Sequence, residues 1–226
     1  MSTATLAAPL VDDRLARRNA MILLVAQACY GIAVSLVITL GGVVGHALAT
    51  DKSLSTLPIT TMMIGTTVAV IPASLFMQRF GRRIGFLIGT TAGMIGGLLA
   101  FKAIMDGSFW LFCLATHCLG YYQATAGYYR FAAADTASLN FRPKAISYAL
   151  GGGLVGALLT PEVVRYTNDV YPLSAACFLA ASGAALIGFL SLTLLKIPRP
   201  PHNPLGIRAG RPLFQIMGQP RFLAAL

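Results

Sequence analysis

The chain has 226 residues, 56% of them hydrophobic and only 11% charged. Ordinary soluble domains carry about 25% charged residues, and a mean hydropathy of +0.72 excludes a soluble enzyme and a disordered chain alike. The formal net charge of +10, from 17 Lys and Arg against 7 Asp and Glu, becomes a question of membrane sidedness before one of nucleic-acid binding.

Residues 1–19 form a polar start that carries Arg14, Arg17 and Arg18. They do not read as a secretory leader, because the apolar stretch behind them runs about 25 residues, where a leader's runs about 7–15. Crossing the hydrocarbon layer takes about 20 mostly apolar residues. Six stretches qualify: 20–44, 57–77, 84–101, 109–129, 145–159 with an extension to 164, and 173–195. Apart from Glu162 in that extension, none contains Asp, Glu, Lys or Arg. Backbone groups in lipid must pair within their own segment, which predicts helices. The short alternating segments of a membrane barrel are absent.

The first span contains Gln27, a candidate cavity residue. In the second, Pro58 fits a first helical turn and Pro72 predicts a kink. In the third, Gly85, Gly89, Gly93 and Gly97 recur every four residues beside Gly96, which predicts a closely packed neighbour. In the fourth, His117, Tyr121, Tyr128 and Asp135 fall within about 40° of one another on a helical wheel. They form a polar-aromatic stripe that could contact an organic solute, with His117 as its titratable member; Gln123 lies about 120° away. The fifth opens with Gly151, Gly152, Gly153 and Gly156, and Pro161 is expected to interrupt its far end. Cys29, Cys113, Cys118 and Cys177 all lie inside spans and read as small apolar core residues. Residues 196–221 are basic and rich in Pro and Gly, and 222–226 begin another apolar run.

Placing the N-terminus inside puts 14 of the 17 basic residues on inner segments and leaves Lys52, Lys102 and Arg165 outside. The reverse orientation would invert that bias, so both ends are expected on the cytoplasmic side.

The loop between the second and third spans reads Ser74-Leu-Phe-Met-Gln78-Arg79-Phe-Gly81-Arg82-Arg83. It resembles the signature loop of the major facilitator superfamily, G-x-x-x-D-R-x-G-R-R/K, with Ser74 and Gln78 departing from the pattern. Gly156-Ala-Leu-Leu-Thr160-Pro161 is similar to that family's G-x-x-x-G-P, with Thr160 in place of glycine. Arg130 through Asp135, followed by Arg142, resembles the charged junction between its fourth and fifth helices. The resemblance implies an all-α, six-helix N-terminal bundle of a family that normally has twelve helices. It implies secondary transport of a small solute by alternating access, with a lean to export from the Gly156–Pro161 segment and a proton as candidate coupling ion. Arg79, Gly81, Arg82, Arg83, Gln78 and Arg142 would then hold the inner gate, with Asp135 the nearest acidic partner. His117, Tyr121, Tyr128 and Gln27 would face the cavity.

The expected organisation is a cytoplasmic segment 1–19, a bundle 20–195, a cytoplasmic linker 196–221 and the start of a seventh helix at 222–226. The expected surroundings are the bilayer of a bacterial inner membrane and either a missing C-terminal half or a second copy. No cofactor, metal or nucleic acid is implied. A non-transporting half-size or truncated membrane module is the alternative. A serine intramembrane protease finds no support, since no Gly-x-Ser-Gly is present and His117 has no evident serine partner.

Overall fold

A computed structural model describes residues 13–167 and 170–196, apart from the side chain of Leu173. The expected linker beyond Lys196 and the expected seventh helix lie outside the described residues. Those residues form seven α-helices: α1 (Asp13–Leu48), α2 (Leu57–Phe80), α3 (Arg82–Met105), α4 (Phe109–Ala126), α5 (Tyr129–Asp135), α6 (Arg142–Thr167) and α7 (Ala175–Thr193). No strand occurs among them.

Five of these helices, α1, α2, α3, α6 and α7, are long and apolar enough to cross a membrane. The expected fourth span differs. It ends at Ala126 after 18 residues, and Tyr129 starts a separate seven-residue helix. His117, Gln123 and the tyrosine pair lower its hydropathy below that of its neighbours. Two other expectations at helix ends also change. α1 is already helical at Asp13, the first described residue, seven residues before Ala20, so Arg14, Arg17 and Arg18 belong to the helix. α6 runs through Pro161 to Thr167. In hydrocarbon the alternative to a helix is a run of unpaired backbone, so one lost bond at Ala157 is the smaller cost.

Short connections explain the tight bundle. Gly81 is the single residue between α2 and α3, at φ 93°, ψ 151°. Few side-chain-bearing residues adopt that conformation. At the opposite end, the Lys52 ammonium donates to the carbonyls of His46 (2.6 Å) and Ala49 (2.9 Å), closing the end of α1. Asp51 caps the following turn by accepting from the Ser53 amide at 2.9 Å, and that bond holds its carboxyl below the usual range. The Ser108 hydroxyl accepts from the Leu111 amide and starts α4.

Helix directions follow from the register of contacts. Gly152 and Gly156 of α6 oppose the Leu24 and Ala28 carbonyls of α1, so α1 and α6 run parallel. Thr61, Thr66 and Val70 of α2 meet Thr116, Gln123 and Tyr128 in turn, so α2 and α4 also run parallel. α3 runs antiparallel to α7, with Gly97 against Phe178 and Arg83 against Thr193. Successive long helices therefore alternate in direction. Arg17, Arg18, Arg79, Arg82, Arg83, Arg142 and Lys196 all gather at one end.

The glycine ladder of α3 does not face one neighbour. A side chain at Gly85 would strike Met77 of α2, at Gly89 and Gly93 Thr125 and Tyr122 of α4, and at Gly97 Phe178 and Ser182 of α7. A four-residue step advances about 400°, so each glycine is turned about 40° from the last. Four of them sweep across three neighbouring helices.

Candidate functional site

Two places concentrate polar chemistry. The first is the basic end. Arg82 and Asp135 form an ion pair at 2.7 Å, joining the start of α3 to the end of α5. Arg83 donates to the Thr193 carbonyl of α7. Buried Asn19 of α1 donates to the Lys196 carbonyl (2.8 Å) and accepts from its amide (3.3 Å). The Asp13 carboxylate accepts from the amide and hydroxyl of Ser138 at 3.2 and 3.0 Å. These bonds tie four elements together at one end. Of the other expected gate residues, Gln78 and Arg142 are exposed, and the Arg79 guanidinium lies 5.6 Å over the Phe80 ring.

The second place is a cavity of about 190 Å³ at the break between α4 and α5. Gln27 and Tyr30 of α1, Ala126 and Gly127 at the break, Arg130 of α5, and Ala149 and Leu150 of α6 line it. Gln27 and Tyr30, three residues apart, share one face of α1. The Tyr30 ring is braced edge-on by Tyr122, with centroids 5.5 Å apart at 81°. The Arg130 guanidinium lies 4.9 Å over the Phe131 ring. Among the described residues, no hydrogen bond or ion pair engages the Gln27 amide, the Tyr30 hydroxyl or the Arg130 guanidinium. Arg130 is exposed and Gln27 and Tyr30 are half-buried, so all three can be reached by a solute or by water.

The expected stripe on the fourth span is arranged otherwise. The chain turns at Gly127 and Tyr128, so its four members do not share one helix. His117 Nδ1 is 3.1 Å from the Thr61 carbonyl of α2, the Tyr128 hydroxyl donates to Val70 of α2 at 3.3 Å, and Asp135 pairs with Arg82. Because a carbonyl only accepts, the His117 bond requires its proton on Nδ1. Tyr121 stands edge-on to His117 at 5.3 Å. Gln123 reaches the same seam in spite of its angular offset, because its long side chain accepts from the Thr66 hydroxyl at 3.1 Å. His117 and Gln123 join α4 to α2, Tyr128 ties the break after α4 to α2, and of the four expected cavity residues only Gln27 lines the cavity described above. Thr160 is buried and donates back to Gly156 at 2.9 Å, while Pro161 faces outward.

Tyr30 and Arg130 are the cavity residues that sequence reading missed. The signal for Tyr30 was its three-residue spacing from Gln27. In the sequence Arg130 reads as an inner positive charge at the start of the charged junction.

The chain is 37% identical over 220 residues to the riboflavin transporter RfnT of Brucella anthropi, covering 96% of this chain and 55% of that protein. It is 25% identical over 197 residues to the uncharacterised MFS-type transporter YddS of Bacillus subtilis, covering 85% of this chain and 45% of that protein. The chain thus spans about half the length of the curated relatives it matches. No solved structure matches it significantly. The family model of the Major Facilitator Superfamily, a family of transporters and not of enzymes, matches residues 23–226. With the signature loop closed around Gly81 and the model match running through every helix from α1 to α7, the chain belongs to the major facilitator superfamily.

Proposed function

We propose that this chain is the N-terminal half of a solute transporter that works by alternating access and carries a flat heterocyclic solute of the riboflavin class. The observation that carries the reading is the cavity lined by Gln27, Tyr30 and Arg130, whose polar groups have no hydrogen-bond or ion-pair partner among the described residues. The 37% identity to a riboflavin transporter suggests the solute class. In this reading the bundle crosses the inner membrane six times, with α4 and α5 together making the fourth crossing. Both ends of the bundle lie in the cytoplasm, where the positive-inside bias places the basic end.

The Arg82–Asp135 pair acts as an inner latch, and Arg79, Gly81 and Arg83 hold the loop beside it. Gln78, standing where the family pattern has aspartate, adds no charge to the latch. A second bundle packs on α2 and α6, the least buried of the five long apolar helices. The likeness at Gly156, Thr160 and Pro161 to an exporter motif supports outward, ion-exchanging transport. A proton is the coupling ion in this reading.

The test is flux through the complete transporter in liposomes, with riboflavin supplied on either face and a pH gradient imposed in either direction. Saturable riboflavin movement above protein-free liposomes is expected. Background flux for riboflavin and for a panel of other flat heterocycles would sink the reading. Movement only into the cytoplasmic compartment would sink the export direction alone.

A further inference from the structure

The cavity has two unlike walls. Tyr30 supplies an aromatic face, held by its edge-on contact with Tyr122 at 5.5 Å. Ala126, Gly127 and Ala149, with little or no side chain, leave room beside it. A slot of about 190 Å³ with one aromatic wall, the apolar Leu150 and three small residues suits the edge of a flat ring system more than a flexible chain.

The polar groups add direction. The Gln27 carboxamide offers an acceptor and a donor side by side. Arg130 offers only donors, and its stacking over Phe131 orients the guanidinium. Together they offer one acceptor and several donors to the same cavity. The complement is a solute edge reading acceptor, donor, acceptor, which is the pattern of a cyclic imide, C=O, N–H, C=O. A carboxylate or phosphate would engage Arg130 but would leave the Gln27 acceptor without a donor, an unpaired group that costs binding.

We infer that Gln27 and Arg130 grip the imide edge of a planar heterocycle while Tyr30 lies along its ring. This rests on the solute reading above and sharpens it. The Gln27 Oε1 accepts from the imide N–H, its Nε2 donates to one carbonyl, and Arg130 donates to the other. The solute enters ring-edge first, leaving any side chain directed away from α1.

The experiment uses flavin fluorescence to measure binding to the complete transporter. The probes are riboflavin, lumiflavin, which keeps the ring and imide but lacks the sugar-alcohol chain, and lumiflavin methylated at the imide nitrogen. Methylation removes the one donor that Gln27 accepts, so it is expected to weaken binding about tenfold or more relative to lumiflavin. In Gln27→Met, a side chain of similar length, the two probes are expected to bind within about twofold of each other, since no acceptor remains to discriminate. Equal binding of both probes to the wild-type protein overturns this inference and leaves the transporter reading standing. Discrimination that survives in Gln27→Met overturns it too, because the methyl is then sensed elsewhere. Binding of none of the flavins overturns both the inference and the proposed solute class.

Discussion

At the scale of single residues, the most informative side chains are those left without partners. Tyr122 and Tyr129 are fully buried, and neither hydroxyl has a hydrogen-bond partner among the described residues. Their rings are held by aromatic contacts, Tyr129 against Phe86 at 4.8 Å and Tyr122 against Tyr30 at 5.5 Å. An unpaired buried hydroxyl costs on the order of 1–3 kcal/mol. Tyr129→Phe keeps the ring contact and removes that cost, so its thermal unfolding midpoint in detergent should equal or exceed that of the wild-type protein. A midpoint several degrees lower would show that the hydroxyl has a partner worth keeping. Gln27 was legible as a cavity residue because an amide in an otherwise apolar span stands out. Tyr30 and Arg130 were not, because an aromatic in a span reads as core and an arginine near a helix end reads as an anchor. Only the break at Gly127 brings the three together.

At the scale of elements, helices in lipid associate by close backbone approach, with no hydrophobic gain to drive them together. The α1–α6 seam shows this. A side chain at Gly152 would run into the Leu24 carbonyl, and one at Gly156 into that of Ala28. Backbone cannot step aside as a flexible side chain can. Gly152→Ala should therefore destabilise the bundle by about 1–3 kcal/mol, the usual cost of overpacking. Gly183 of α7 has nothing within 4 Å of where its side chain would be. Gly183→Ala should be neutral or stabilising by up to about 1 kcal/mol through helix propensity. Thermal midpoints of the two variants, compared side by side, check the contrast. If both behave alike, the seam is not where the close contact lies. The sequence showed the glycines of α3 and their spacing, but not how many partners they serve. That depends on the angular drift of a four-residue repeat and on which helices stand around it.

At the scale of the whole molecule, the alternating helix directions put one set of arginines at one end. Sidedness can be read with membrane-impermeant maleimide on intact cells, using variants that lack the four native cysteines. Thr50→Cys, beyond the end of α1, should be labelled from outside, and Gln78→Cys, next to the α2–α3 turn, should be labelled only after the membrane is opened. Labelling of Gln78→Cys on intact cells would reverse the orientation.

The sequence by itself determined that the chain is helical and built for lipid, roughly where the long helices lie, where the turn at Gly81 falls, and which family its signature loop resembles. Each follows from local physics: apolar length, charge-free runs, a glycine free to take positive φ, a basic loop. Only the tertiary structure decided that the fourth span breaks at Gly127. It also decided that His117 and Tyr128 bond to α2, that Asp135 is held by Arg82 and not by Arg79 or Arg83, and that Arg130 turns to a cavity. The reason is that a stripe on a helical wheel specifies an angle about one axis. What lies at that angle is set by neighbours distant in sequence, and by whether the axis continues at all.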